Sequence, residues 1–200
     1  MVDHVYGDPA TEPAWHEWYA GYLQKLLSVP GIHTAQRFKA LGCTPSRYLS
    51  MYSIESEDVY TSEGYRNIGG GGSQSARFHP AYELWTRNLF DGASHAPMVR
   101  DGQRVLVFDR EQTPHPNPAP RLLASSQALP AHGERESLDS RTVWLEAVGL
   151  HMTTKYRAFV VLDADEAASM PALPGSFVYA PFTSVLRSSI SERTDFRSSS

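Results

Sequence analysis

The sequence has a single cysteine, and several other chemical signals are scarce. Cys43 has no partner for an internal disulfide, and structural zinc sites usually draw on several cysteines, so the sequence indicates neither feature. No basic run stands out in a chain of net charge −4, which argues against nucleic acid as a partner. The histidines and carboxylates show no metal-ligand spacing, and no histidine stands out as a haem ligand. We therefore expect no metal and no cofactor.

The sequence also offers no sign of a membrane segment. No apolar run approaches the length of a membrane span, and the opening residues MVDHVYGDPATEP lack the basic and then apolar pattern of a signal peptide. We therefore expect no membrane partner and a cytoplasmic protein. The composition is that of an ordinary globular chain, with 41% hydrophobic and 20% charged residues. Its 200 residues suit one large domain or two small ones.

The first half of the chain predicts a helix, a hairpin, further helices and a strand. Residues 14–28 carry aromatic side chains and leucines at helical spacing, and Pro30 and Gly31 end the helix. The segment VDHVYG at residues 2–7 is short and polar and gives little sign of a strand. The remaining predictions are strands at 32–41 and 47–54, helices at 56–67 and 80–92, and a strand at 103–110.

The second half repeats this order in reduced form. A proline-rich linker is predicted at 113–120, followed by a strand or helix at 121–129. Further along, the pattern predicts a hairpin at 141–150 and 155–163, a short helix at 164–170 and a final strand within 175–188. The predicted units are residues 1–112 and 121–190, with a disordered tail at 191–200.

Three quoted stretches carry a family resemblance. The runs WHEWYAGYLQKLLSVPGIHTAQRF, RYLSMYSIES and WTRNLFDG resemble the dimeric α/β-barrel proteins over residues 14–110. The resemblance implies an α+β fold of two ferredoxin-like units whose antiparallel sheets form an α/β barrel, here fused in one chain. Members of that superfamily include cofactor-free monooxygenases, polyketide cyclases, lactone isomerases and haem enzymes. The sequence leaves open whether two copies associate as a homodimer.

Two histidines are candidate proton-transfer residues. His33 begins a predicted strand, and a neutral imidazole can both accept and donate a proton near neutral pH. The alternative is a histidine at the surface or the edge of a loop. His79 precedes Pro80, which is predicted to open a helix, and the positive end of a helix dipole favours the neutral ring. The alternative is a simple helix cap.

Aromatic residues and an arginine are candidates for binding a substrate. Tyr48 and Tyr52 share a strand face, where a phenol ring can pack against a substrate and its hydroxyl can form a hydrogen bond. Tyr48, Tyr52 or Arg37 would polarise a carbonyl or phenolate oxygen of the substrate. The pocket between helices and sheet would be lined by Trp18, Tyr22 and Trp85. Core packing is the alternative for most of these rings.

Glu146 is the candidate carboxylate. It shares an apolar strand face with Trp144 and Val148, and a buried glutamate must be paired or have a raised pKa. Arg157 on the partner strand is the expected partner. A catalytic role competes with a structural ion pair and with a strand edge at which Glu146 reaches water.

Four consecutive glycines, at positions 69–72, punctuate the first half. A phosphate-binding loop would need a preceding buried strand and a following lysine, and the sequence predicts neither. Ordering four glycines costs conformational entropy, which suits a loop that closes on a ligand. We expect a lid over a site, with slack chain as the alternative.

The function that these observations favour is a cofactor-independent acid/base enzyme. It would be a lyase, isomerase, cyclase or dehydratase that acts on a small hydrophobic or aromatic molecule in an internal cavity. The alternatives are a cofactor-free monooxygenase of the same fold and a non-catalytic small-molecule-binding protein.

Overall fold

A computed structural model describes residues 1–111, 138, 140–170 and 175–190 of the chain. The predicted linker at 113–120, the segment at 121–129 and the tail at 191–200 lie outside these residues. The strands are β1 (Val2–Tyr6), β2 (Ile32–Ala40), β3 (Tyr48–Ile54), β4 (Tyr82–Asp91), β5 (Gln103–Arg110), β6 (Val143–Leu150), β7 (Tyr156–Asp163), β8 (Ser176–Pro181) and β9 (Leu186–Arg187). The α-helices are α1 (Glu12–Leu26), α2 (Glu63–Asn67) and α3 (Ala164–Ser169), with 3₁₀ segments at Glu57–Thr61 and Gly70–Ala81.

The strands form a closed antiparallel barrel. Their hydrogen-bonded order is β3-β1-β4-β6-β7-β5-β8-β2, and β2 pairs again with β3, so that eight strands close on themselves. The short strand β9 adds to β2 beyond β8. The expected α+β barrel class is therefore confirmed. None of the helices in the described ranges is both long and apolar enough to cross a bilayer.

The two halves of the barrel have the same strand order. Strands β1–β4 lie in the order β4-β1-β3-β2, and strands β5–β8 lie in the order β8-β5-β7-β6. The halves meet through the pairs β4–β6 and β2–β8. The second half begins with β5, a strand that lies within residues 1–112, the first of the two units predicted from the sequence.

Pleating divides the side chains between the barrel interior and the outer face. The interior holds an apolar cluster that includes Phe38, Leu49, Met51, Val105, Val107, Leu145, Phe159 and Tyr179. On the outer face of the first half, α1 buries Trp15, Tyr19, Leu23 and Leu26 against the sheet. On the outer face of the second half, α3 and Leu138 cover Leu106, Phe108 and Val160.

A buried ion network in the barrel interior joins the two halves. The Arg157 guanidinium of β7 donates to Asp3 Oδ2 of β1 at 3.0 Å and to Asp109 Oδ1 of β5 at 2.7 Å. The side chains of Arg157 and Asp3 are each 6% exposed. A second Arg157 nitrogen reaches Asp109 Oδ2 at 2.9 Å, which completes a bidentate pair.

Two predictions about the first half are wrong. Residues 82–91 form strand β4 between β1 and β6, not a helix. Trp85 and Arg87 face outward from β4, and Asn88 faces the barrel interior. Because both faces of β4 are covered, its apolar residues do not alternate with polar ones along the strand. The polar segment at the start of the chain is strand β1, which pairs with both β3 and β4. Tertiary pairing has overridden weak local signals.

We expect loss of the Arg157 charge to destabilise the fold strongly. Arg157→Met leaves Asp3 buried without its counter-ion, which should lower the free energy of unfolding by about 3–5 kcal/mol. The matched control is Arg141→Met, which removes an ion pair to Glu166 whose side chains are 38% and 36% exposed. That change should cost below about 1 kcal/mol. Urea denaturation measures both values, and equal losses would contradict the structural role of the network.

Candidate functional site

An aromatic pocket lies on the outer face of the first half, between α1, strands β1, β3 and β4, and the segment Gly70–Ala81. It encloses about 690 Å³ of empty space, part of it open to solvent. Its mostly apolar lining, with a few polar groups among aromatic rings, is typical of a small-molecule site. The side chains and backbone that line it include His4, Trp18, Tyr19, Tyr22, Tyr52, Tyr60, Tyr65, Gly71, Gly72, Tyr82, Trp85 and Arg87.

Four of the predicted site residues meet in this pocket. Trp18 and Tyr22 reach it from α1, Tyr52 from β3 and Trp85 from β4. The Trp18 and Tyr22 rings stack with their centroids 5.3 Å apart. All four residues line the pocket, although Trp85 lies on strand β4 and not on the predicted helix.

Arg37 and Tyr48 lie beside the pocket, beneath α1. The Arg37 Cζ atom is 4.0 Å from the Tyr19 ring centroid and 4.8 Å from the Trp15 ring centroid. Its Nη2 lies 3.2 Å from His16 Nδ1. Burial and then the Arg37 charge lower the pKa of His16 to about 4, so this ring is neutral and can accept the bond. The Tyr48 hydroxyl donates to Glu12 Oε1 at 2.8 Å.

Neither predicted histidine sits deep in the pocket. His33 is half-buried at the start of β2 and is not among the pocket-lining residues. His79 is exposed beside the pocket, where its ring stacks on Trp85 at 5.5 Å and its Nε2 lies 2.7 Å from Ser75 Oγ. A strand follows His79, so the expected effect of a helix dipole does not apply there.

The expected pair between Glu146 and Arg157 is wrong. Leu145 and Ala147 are the buried residues of this stretch, and Glu146 points outward and is exposed. Its nearest hydrogen-bond partner in the described structure is the Tyr156 hydroxyl at 3.5 Å. Arg157 faces the barrel interior and is paired with Asp3 and Asp109. Glu146 therefore reaches water, which was the third of its sequence-based alternatives.

His4, on β1, is the functional candidate that sequence reasoning missed. It lines the pocket, it is 2% exposed, and the Trp15, Tyr19 and Tyr82 rings surround it with centroids 5.5–5.7 Å away. Within the described ranges its ring makes no hydrogen bond, and its Nδ1 is a buried polar atom without a partner. Burial and then the Arg37 charge lower the pKa of His4 to about 3. The imidazole is therefore neutral at physiological pH.

Tyr19 and Tyr52 form a hydroxyl pair in the pocket wall. Their oxygens are 2.7 Å apart, and burial raises the pKa of Tyr52 well above its usual value. Since one hydroxyl proton is used in the bond between the two phenols, the other is left for a ligand. The pair is thus a potential hydrogen-bond donor to a carbonyl or enolate oxygen.

Buried polar atoms without partners concentrate on this face of the sheet. In the described part of the chain they are His4 Nδ1, Arg37 Nε, Ser50 Oγ and Arg87 Nε, one on each of the strands β1–β4. Leaving such an atom unpaired costs about 1–3 kcal/mol. Such an atom in a native fold calls for a partner, which ordered water or a ligand can supply, and all four lie on the side that holds the aromatic pocket.

The segment Gly70–Ala81 contributes part of the pocket lining. Gly71 and Gly72 have backbone φ values of +80° and +103°, which residues other than glycine rarely adopt. Tyr65 Oη accepts a bond from the Gly71 amide at 3.0 Å, and Lys25 Nζ donates to Gln74 Oε1 at 3.2 Å. The glycines therefore form part of the pocket wall, and their closure on a ligand stays a prediction.

No group of three or more histidine, cysteine, aspartate and glutamate side chains in the described ranges could hold a metal ion. Comparisons of the chain with protein-family models, with curated proteins and with solved structures each find no significant match.

Replacing His4 should flatten the acid dependence of stability. The unfolded imidazole takes up a proton near pH 6.5, whereas the folded ring does so near pH 3. The unfolded state therefore binds more protons between these values, and stability falls with decreasing pH by up to about 1.4 kcal/mol per pH unit. His4→Phe removes this contribution while the His16 contribution remains. Urea denaturation from pH 7 to pH 4 measures the difference, and parallel curves for the two proteins would contradict it.

Gly72→Ala should damage the pocket, whereas Gly71→Ala should not. A Cβ at Gly72 would lie 2.6 Å from the far edge of the Trp85 ring, while one at Gly71 meets its nearest atom at 3.8 Å. Both changes carry the strain of a positive φ, but the first also pushes Trp85 out of the pocket wall. We expect Gly72→Ala to lower the free energy of unfolding by about 1–3 kcal/mol more than Gly71→Ala does, the usual cost of overpacking. Urea denaturation measures both values, and equal losses in the two variants would refute the clash.

Proposed function

We propose that this protein is a cofactor-independent acid/base enzyme acting on a small aromatic or hydrophobic molecule with an enolisable carbonyl. The observation that carries the proposal is the neutral His4 ring, without a hydrogen-bond partner in the described structure, at the floor of an aromatic pocket. A neutral imidazole is a proton acceptor, and a water-poor site strengthens the electrostatic interactions within it. Trp18, Tyr22 and Trp85 supply flat apolar surfaces for the substrate.

In the proposed reaction, His4 takes a proton from the carbon next to the carbonyl group. The electron pair of the broken C–H bond forms the C=C bond of an enolate, whose oxygen accepts a hydrogen bond from the Tyr19–Tyr52 pair. Return of the proton to another carbon completes an isomerisation. Transfer of the proton to a leaving hydroxyl group, with departure of water, completes a dehydration.

The low pKa of His4 restricts how weakly acidic the reacting carbon of the substrate can be. An imidazole whose pKa is about 3 is a weak base, so it can accept a proton only from an acidic carbon. Carbons between two carbonyl groups meet this requirement. A negative charge that develops on the substrate beside the ring also raises the proton affinity of His4 during the reaction, because opposite charges stabilise each other.

We also propose that the barrel consists of two fused ferredoxin-like units. The shared strand order in the two halves supports this arrangement. The first unit would comprise β1–β4 with α1 and α2, and the second would begin with β5 and include α3. A fold of this kind hosts many chemistries, so the proposed reaction depends on the site and not on the barrel.

Catalysed interconversion of the keto and enol forms of benzoylacetone tests the proposed function. This probe has an aromatic ring and an acidic carbon between two carbonyl groups, and its enol absorbs in the ultraviolet. His4→Asn should lower the rate by about 10²- to 10⁴-fold, the usual contribution of a general base. His33→Asn is the matched control and should keep the wild-type rate, since His33 lies outside the pocket.

Two outcomes would refute the acid/base role. If the wild-type protein binds benzoylacetone without speeding its interconversion, the pocket belongs to a binding protein. If His4→Asn retains the full rate with an intact fold by circular dichroism, another group moves the proton. Equal losses in the His33 and His4 variants would also count against the assignment.

A further inference from the structure

Arg87 lines the aromatic pocket and has no counter-ion among the residues that the structure describes. It projects from β4 on the outer face, and no aspartate or glutamate is among the residues that line the pocket. In the described ranges its guanidinium makes no ion pair and no hydrogen bond, and its Nε is buried. The chain carries 22 acidic residues, so a shortage of carboxylates in the sequence does not explain why none pairs with Arg87 in the described ranges.

The surroundings of Arg87 hold the guanidinium in position without neutralising it. Its Cζ atom lies 5.1 Å from the Trp85 ring centroid, a cation–π distance. Its Nη1 would lie 3.8 Å from a Cβ built at Gly71, so the absence of a side chain there leaves room beside the guanidinium. Arg87 is half-buried and its Nε is buried, so the guanidinium is partly shielded from water, and this arrangement is suited to an anion that arrives with the ligand.

A second arginine adds to the positive potential of this face. Cross-strand pairing places Arg37, Ser50, Val2 and Arg87 in one row across β2, β3, β1 and β4. Arg37 is covered by the rings of α1 and does not line the pocket. Arg87 is therefore the arginine that a ligand in the pocket can contact.

We infer that the ligand of the aromatic pocket is a carboxylic acid with an apolar or aromatic body. Its carboxylate pairs with the Arg87 guanidinium, whose fork of N–H groups matches two oxygens in a plane. Its body lies against Trp85 and the tyrosine rings. The guanidinium fork can satisfy both oxygens of a carboxylate by itself, whereas the additional oxygens of a phosphate would need a second cationic group, and Arg87 is the arginine available in the lining. This inference rests on the proposed function for the location of the ligand and adds its charge.

A pair of ligands that differ in charge tests the inference. Hydrocinnamate and its neutral amide, hydrocinnamamide, share the same aromatic body. We expect calorimetric titration of the wild-type protein to show that the acid binds roughly 10- to 100-fold more tightly than the amide, the usual effect of hydrogen bonds to a charged group. Arg87→Met keeps an apolar stem and should abolish this preference, and Arg87→Lys should retain part of it. Arg77→Met is the control, since Arg77 is exposed and outside the pocket.

The outcomes separate this inference from the proposed function. Equal binding of acid and amide to the wild-type protein, or an undiminished preference in Arg87→Met, overturns the carboxylate assignment and leaves the pocket proposal standing. If neither compound binds, the pocket proposal itself fails. If Arg87→Met does not fold, the comparison of acid with amide in the wild-type and Arg87→Lys proteins decides the question.

Discussion

The contact between Arg157 and Asp3 fixes the strand on which the candidate site depends. Successive side chains of a strand point to opposite faces, so anchoring Asp3 in the barrel interior turns His4 outward, toward α1. A slip of one residue would exchange the two side chains and put a neutral imidazole in place of the paired carboxylate. The ion network thus fixes the direction in which His4 points without contacting the pocket. It also joins β1 to β5 and β7, which ties the site to closure of the whole barrel.

The two halves of the barrel cover different kinds of side chains on their outer faces. On the second half, α3 and Leu138 cover an apolar cluster in the ordinary way. On the first half, the helix covers histidine, arginine, serine and tyrosine side chains. Each of the strands β1–β4 contributes a buried polar atom that has no partner in the described part of the chain. Burying such groups opposes folding, and the aromatic rings around them recover part of that free energy through packing. The same strand order therefore supports a conventional core on one side and a candidate site on the other.

The sequence predicted the elements whose signals are local. Helix α1 has a stripe of aromatic residues at helical spacing and β3 alternates, so Trp18, Tyr22 and Tyr52 could be assigned to a site. The sequence did not reveal β1 or β4. Strand β1 is polar although it pairs with a strand on each side, and β4 is covered on both faces and lacks a clear alternation of apolar residues. His4 and Arg87 lie on these two strands. Their proximity depends on pairing between segments far apart in the chain, for which no local pattern exists.

The proposed base and the proposed anion site are coupled through charge. Arg37 helps to keep His4 neutral, and Arg87 adds a second positive charge across the same face. Burial and the Arg37 charge oppose protonation of the imidazole while the pocket is empty. A carboxylate bound at Arg87 would place a negative charge on the same face and thereby favour protonation of His4. On this argument a substrate without the carboxylate would meet a weaker base even when it fills the same apolar space. Charge recognition would then contribute to the rate of proton transfer as well as to affinity.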